Sequence, residues 1–458
     1  MITSNSDFRN KRRAARDPLE WMFNDPAGDP NAPRLGGWLP DDESFGDKGR
    51  LYITMDGRPA SWCTCIVPCK NDNSKYLAGF YEIWNGGHPS DYQNISGIVR
   101  LDSNGVIDKS FGTRGDGIIE VRFKAGQYSS PKAIHELSDG RILISGDHTI
   151  VLTEPVLRSY PNAMLCMLNA NGTVDTTFGN QGIFDIGALK DDLFYLLNTL
   201  PLADGKIMLT GSFIRPESPA YSYLIRLTVD GKLDESFQNN GMLAIERVEG
   251  LYTHVDGMLW SERTDTILVY GYYNKGYVQY NFLAHFNSDG ELNTGFGTGG
   301  FFDMLKESNN PMRLRNVSSS SDGRNLYFSG SEFSADGVDR CRLEVRLSNG
   351  TPDTTFNNGN PVLLGAQGYN FWFSSLIQPA SGGKIIALGH SSDYYSALLA
   401  RYLPSGELDT SFSDEGFGSP AFSNLYSGTW GQGAVVEAGR ILCVGYTSNG
   451  GAIMASKI

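Results

Sequence analysis

Short apolar runs alternate with turn-forming polar clusters along most of the chain. The plainest runs lie between glycines, at 140–146, 205–211, 323–330, 383–389 and 439–445. Residues 266–271 and 75–79 are variants of the same form. Such short, β-branched, Gly-bounded runs predict buried strands. A second apolar segment precedes each one, as at 132–137 before Ser138-Asp139-Gly140. Asp-Gly supplies the positive φ of a tight hairpin turn. A third run follows, at 97–101, 163–168, 222–227, 281–286, 342–347 and 397–402, and a fourth at 117–121, 182–186 and 241–245. The pattern predicts a four-stranded antiparallel meander, repeated.

A fixed tetrad stands between the third and fourth strands of each unit. It reads Asp42/Phe45, Asp108/Phe111, Asp175/Phe178, Asp234/Phe237, Asn293/Phe296, Asp353/Phe356 and Asp409/Phe412. Successive Phe residues are 66, 67, 59, 59, 60 and 56 apart. A period this long marks stacked supersecondary units. Four-stranded units repeated radially make a β-propeller. Residues 435–437, 440–444 and 451–457 supply three strands of a last blade, and 50–55 supply the fourth. The expectation is an all-β, seven-bladed β-propeller of four-stranded antiparallel blades, closed by the N-terminal strand completing the last blade. The organisation reads as an arm and linker over 1–36, with a short helix at 18–23, and a propeller over 37–458.

The turn Asp is expected to accept backbone N–H bonds two or three residues on. Asn293 does this without charge, so the role is capping, not acid–base chemistry. The Phe is expected between sheets, where burial stabilises by roughly 2–3 kcal/mol. On this reading Phe178→Ala lowers stability sharply and Thr177→Ala barely does.

The full sentence, L-x-x-[DN]-G-x-[LVI]-D-x-[ST]-F-G-x-x-G, resembles the delta-60 repeat family of bacterial β-propeller proteins. The resemblance covers about 40–458 and is weakest at Leu39-Pro40-Asp41-Asp42. It implies a propeller, often in surface or secreted proteins, and brings no established reaction or catalytic residues.

Composition narrows the partners. A net charge of −13 argues against nucleic acid, which needs clustered cations. No apolar run reaches the length of a membrane span. The start of the chain lacks the apolar stretch of a secretory signal, so the expected compartment is the cytoplasm, or export by a signal-less route. Candidate chemistry is sparse. Asp102-Ser103-Asn104-Gly105 echoes a Ca²⁺ loop, but its equivalents Asn169, Thr228 and Asn287 lose the first carboxylate. Cys63, Cys65 and Cys69 have no fourth zinc ligand nearby in sequence. No metal and no cofactor are expected. The six histidines, His88, His135, His148, His254, His285 and His390, fall in no catalytic motif.

A surface argument remains. The strand one–two and three–four turns share one face of a propeller and are uniform here. The two–three and four–one connections share the other face and vary, with many aromatics. Trp84, His88, Tyr92, Tyr221, Tyr272, Tyr273, Tyr277, Tyr369, Trp372, Tyr394, Tyr395 and Trp430 are the candidate binding residues. Tyr and Trp give large contact area with few rotors, which suits a protein or glycan ligand. The leading expectation is a non-enzymatic binding scaffold, and the N-terminal arm docks either its own propeller or a partner. The alternative is a propeller hydrolase, lyase or quinoprotein-like enzyme with its site at the central channel mouth.

Overall fold

The computed structural model describes residues 37–55, 57–60, 62–72, 74–84, 93–123, 128–152, 158–190, 193–214, 222–249, 251–261, 263–276, 278–304, 312–333, 337–365, 370–377, 383–391, 397–413, 415–419, 424–425, 433–437, 439–447 and 450–458. The expected arm over 1–36 and its helix at 18–23 lie outside these residues.

The fold is a seven-bladed β-propeller, nearly all β. The chain enters through β1 (Gly37–Trp38), β2 (Arg50–Tyr52) and the hairpin β3 (Thr54–Met55) and β4 (Arg58–Pro59). Blade 1 is β5 (Trp62–Pro68), β6 (Lys75–Trp84), β7 (Gln93–Asp102) and β8 (Ile118–Val121). Blade 2 is β9 (Tyr128–Glu136), β10 (Ile142–Leu152), β11 (Arg158–Leu168) and β12 (Ile183–Asp185). Blade 3 is β13 (Leu193–Pro201), β14 (Ile207–Ile214), β15 (Ser222–Leu227) and β16 (Met242–Ile245). Blade 4 is β17 (Thr253–Ser261), β18 (Thr266–Lys275), β19 (Val278–Asn287) and β20 (Phe301–Met304). Blade 5 is β21 (Met312–Ser319), β22 (Asn325–Phe333), β23 (Asp339–Leu347) and β24 (Val362–Leu364). Blade 6 is β25 (Phe371–Ile377), β26 (Ile385–Ser391), β27 (Ala397–Tyr402) and β28 (Phe417–Ser419). Blade 7 is β29 (Asn424–Leu425) and β30 (Ala434–Glu437) against β31 (Arg440–Thr447), then β32 (Gly450–Lys457) and β2.

The ring closes in two ways. β2 pairs antiparallel with β32, Leu51 opposite Ile453, so the chain's beginning completes the blade its end leaves open. The first strands β5, β9, β13, β17, β21, β25 and β30 each touch the next, and β30 touches β5. Closure removes the free edges an open stack would expose. β1 adds a short parallel strand outside β28.

The repeated tetrad does more than cap its own turn. In the charged copies Oδ1 of the Asp accepts the N–H and hydroxyl of a Ser or Thr two residues on. At Asp175 these are Thr177 N at 3.0 Å and Thr177 Oγ1 at 2.6 Å. Thr177 therefore carries a hydrogen bond to a charged group, and its expected neutrality on mutation is revised. Asn293 accepts from Gly295 N at 3.1 Å.

All seven tetrad rings, Phe45, Phe111, Phe178, Phe237, Phe296, Phe356 and Phe412, are buried. In three copies the ring crosses to a glycine of the next blade. A Cβ on Gly105, Gly231 or Gly290 would press on Phe45, Phe178 or Phe237 respectively. Each of these glycines also has positive φ, so no other residue fits both the turn and the ring. The N–H after the Phe reaches the same neighbouring turn: Gly46 to Asn104 O at 2.7 Å, Gly112 to Asn171 O at 2.9 Å and Gly179 to Asp230 O at 2.8 Å.

Phe111 and Phe356 lie between sheets, as expected, but are seated differently from Phe45, Phe178 and Phe237. Both are core side chains. Phe111 packs with Cys65 and Ile98 of blade 1 and Ile142 and Ile144 of blade 2. Phe356 packs with Leu343 of blade 5 and Phe371, Ile385 and Leu398 of blade 6. Neither sits nearest the glycine that follows it in the next blade. A Cβ on Gly172 would meet Ile119 in place of Phe111, and one on Gly406 would meet Asn357 in place of Phe356. The Ile119 side chain and Asn357 fill those seats, so the two rings are held by the sheets on either side.

Cations complete this staple. Arg226 Nε lies 2.7 Å from Asp234 Oδ2, its guanidinium sits 4.9 Å from the centre of Phe237, and Nη1 donates to Ser288 O in blade 4. Arg100 and Arg401 repeat the pairing at Asp108 and Asp409. Lys75, Arg141, Lys206, Lys384 and Arg440, which open the second strands, reach the same carboxylates. Hydrogen bonds and cations hold Asp42, Asp108, Asp175, Asp234 and Asp409 below the usual carboxylate range against the opposing effect of burial. At Asp353 hydrogen bonds from Thr355 and Asn325 outweigh burial in the same sense.

Candidate functional site

Six first strands carry a β-bulge near the variable-face end. The extra residue is Thr64, Lys132, Leu197, Asp256, Arg315 or Ser374 in blades 1 to 6. A bulge bends its strand and re-aims a side chain. In blades 2 to 5 the carbonyl two residues before the bulge takes the space a Cβ would fill on Gly146, Gly211, Gly271 or Gly330. This accounts for the second glycine of the apolar run. The site and the sequence motif are two sides of one contact.

The residues two before the bulge are Trp62, Ser130, Tyr195, His254, Arg313 and Trp372, one per blade on the innermost strand. Tyr195 is 39 % exposed and the Arg313 side chain 58 %. Arg315 is exposed, and Trp62 and His254 are half-buried. Trp372 is placed here by its backbone, opposite His390.

Blade 4 gathers the densest chemistry. His254 Nδ1 lies 2.9 Å from the Tyr252 hydroxyl, and Nε2 lies 3.5 Å from Asp256 Oδ1. The imidazole and two phenol rings form a triangle, with centres 6.0 Å (Tyr252), 4.9 Å (Tyr272) and, between the phenols, 6.5 Å apart. Asp256 Oδ2 is buried and accepts no hydrogen bond among the described residues. Burial, Tyr272 and the Asp256 charge push the Tyr252 hydroxyl up to about 12. Burial and Asp256 raise the Tyr272 hydroxyl, and Arg315 of blade 5 opposes them. His390, buried in blade 6, is pushed down to about 4 by burial and by Arg315. Lys132 and Asp147 approach to 3.8 Å in blade 2, and Arg313 and Asp339 to 3.2 Å in blade 5.

Of the twelve candidates from sequence, Tyr272 joins this group. Tyr273, on the opposite face of β18, is buried, stacked on Tyr280 at 5.3 Å and 5.9 Å from the Arg247 guanidinium. Arg247 is fixed by two bonds to Asp303, so Tyr273 belongs to a joint between blades 3 and 4. Trp84 ends β6 and Trp372 lies in β25. His88, Tyr92, Tyr221, Tyr277, Tyr369, Tyr394, Tyr395 and Trp430 lie outside the described residues. Tyr195, Tyr252, Asp256, Arg313 and Arg315 were not legible as site residues, and His254 had no role assigned.

The turn acids are committed elsewhere. Asp102 Oδ1 takes the N–H of Asn104 at 2.9 Å and of Val106 at 2.8 Å, a turn cap. Among the described residues no group of three or more His, Cys, Asp or Glu is placed to hold a metal ion. Burial raises the thiols of Cys65 to about 11 and Cys69 to about 12, and Cys63 also rises. They stay protonated and unreactive. No described helix is long and apolar enough to cross a membrane.

The ring, the staples and the bulged inner strands define a seven-bladed β-propeller. Within that class, the family described as "Domain of unknown function (DUF5122) beta-propeller" matches residues 202–237 and 381–412. Both segments run from a first–second strand turn to the tetrad Phe, at Phe237 and Phe412. No curated protein matches the chain. Among solved structures, a protein of unknown function from Dyadobacter fermentans is similar at 10% identity and TM-score 0.41, covering 79% of this chain and 94% of that one. A PL25 ulvan lyase is similar at 10% identity and TM-score 0.43, covering 93% and 96%. The first two extracellular domains of Drosophila semaphorin 1b give 8% identity and TM-score 0.41, with 87% of each chain covered. Similarity this low decides nothing about function.

Proposed function

We propose that this protein is a binding propeller that takes a protein or glycan ligand on the face bearing the variable connections. The observation that carries this reading is the set of solvent-reaching side chains on the innermost strands at that end. Tyr195, His254, Asp256, Arg313 and Arg315 come from three consecutive blades on rigid, bulge-anchored strands. Rigid elements hold a recognition surface at low entropic cost on binding. The opposite face spends its polar groups on the blade-to-blade staples. The test is a pull-down and a glycan array with wild type beside Tyr195→Ser/Arg313→Ser. Capture by the wild type and loss in the double variant supports the reading; silence from the wild type in both assays sinks it.

One arrangement favours a second reading, an enzyme with its site at the channel mouth. Asp256, His254 and Tyr252 form a continuous line of proton-bearing groups. Such a line suits general acid–base work. Turnover of any captured ligand, lost in His254→Asn, would select it over pure binding.

A further inference from the structure

We infer that the mouth of the channel over blades 3 to 5 is a binding site for a neutral, polyhydroxylated saccharide. The inference rests on the binding reading above and names the ligand class.

Charge balance is the first argument. Over blades 3 to 5 the charges that the inner strands carry near this end balance in sign. Arg313 lies 3.2 Å from Asp339, and the other two inner-strand charges over these blades, Arg315 and Asp256, are one of each sign. The mouth is therefore locally neutral, in a chain whose net charge is −13. A polyanion gains no net attraction from such a surface and is repelled by the rest of the molecule. A polycation would find Asp339 already facing Arg313.

The polar inventory is the second. His254, held between the Tyr252 hydroxyl and Asp256, has its ring orientation set. Asp256 offers acceptors, Arg313 and Arg315 offer donors, and Tyr195, Tyr252 and Tyr272 carry hydroxyls on flat apolar rings. Sugar rings present both features together, an apolar C–H face and a rim of hydroxyls that donate and accept. Alternating donors and acceptors beside phenol rings match that rim. A purely apolar ligand would leave these polar groups unpaired at a cost.

The third argument is fixation. A bulge places Asp256, and the glycine opposite, Gly271, is required for it because the His254 carbonyl fills the Cβ position. Bulges are over-represented next to active sites.

The test is affinity electrophoresis of the full chain in gels holding galactomannan, xyloglucan or dextran, and in gels holding polygalacturonate or chondroitin sulfate. Retardation by at least one neutral polymer and by neither acidic one is expected. Asp256→Asn, which keeps the side-chain shape, and Tyr195→Ala, which alters an exposed ring, should each weaken that binding by about tenfold or more with thermal stability unchanged. Retardation by either acidic polymer overturns the inference, as does full binding by both variants. Retardation by none of the five overturns the saccharide assignment, while capture of a protein in the pull-down would leave the broader binding reading standing.

Discussion

Asn293 Nδ2 lies 3.2 Å from His285 Nδ1, and this uncharged pair stands where other blades hold a carboxylate and an arginine. His285 occupies the position of Arg100, Arg226 and Arg401, eight residues before the turn residue. Thr266 occupies the position of Lys206 and Lys384 at the start of the second strand. His285 even stacks on Phe296, at 5.2 Å, as the arginines cover their own Phe rings. Acid and base have been exchanged together, and the Asn293–His285 hydrogen bond takes the place of the ion pair.

Asn293→Asp should lose the Nδ2 donor to His285 and destabilise the protein by about 0.5–1 kcal/mol near pH 8, where His285 is neutral. The new carboxylate raises the folded pKa of His285 above its present, burial-lowered position. A raised folded pKa stabilises at low pH and is lost as pH rises, so the penalty shrinks near pH 6. Adding His285→Arg should restore stability at both. Chemical denaturation at the two pH values checks this, and a pH-independent penalty contradicts it.

The six turn aspartates make stability sensitive to acid. Their folded pKa values are all depressed, against about 3.9 in an unfolded chain. A depressed pKa contributes stability that is fully present above the unfolded value and is lost as pH falls through the folded one. Melting temperature should carry no contribution to its slope from these groups between about pH 7 and 5, then drop below about pH 4. Asp234→Asn should flatten part of that drop.

Phe178→Ala should cost about 3–5 kcal/mol, since the buried ring seats on Gly231 of the next blade. Phe111→Ala and Phe356→Ala should cost about as much, through the inter-blade cores they fill. Thr177→Ala should cost about 1–2 kcal/mol through the lost bond to Asp175. Urea unfolding of these variants decides; a Thr177 loss equal to the Phe losses would mean the staple is not centred on the ring.

Gly271→Ala should cost about 1–3 kcal/mol and reduce ligand capture together, because the new methyl drives the His254 carbonyl outward. Gly276→Ala is the control. A Cβ there meets nothing within 4 Å, so it acts only through its positive φ and should leave capture unchanged. A variant at 271 that unfolds normally and binds normally would show that the bulge tolerates the methyl.

Removing residues 1–52 should leave β32 as an open edge. Size-exclusion chromatography with light scattering should show association or aggregation of the shortened chain. A stable monomer would mean that β2 is dispensable for closure.

The sequence by itself determined the architecture. Short apolar runs, tight turns and the tetrad recur seven times, and local rules of strand and turn formation read them without knowledge of what they touch. It also placed the seam, since the three strands at the end of the chain lack a fourth that the beginning carries. Tertiary structure decided everything that depends on which blade lies next. The tetrad Phe reads as a residue buried between sheets, but the glycine under Phe178 and the core partners of Phe111 and Phe356 in the following blade, about 60 residues on, are set only by tertiary packing. Asp256 and Arg315 likewise have no mark along the chain. A bulge is one residue out of register between two strands, so it exists in pairing and not in composition. Residues of β17 and β21 come together because the ring sets two inner strands side by side.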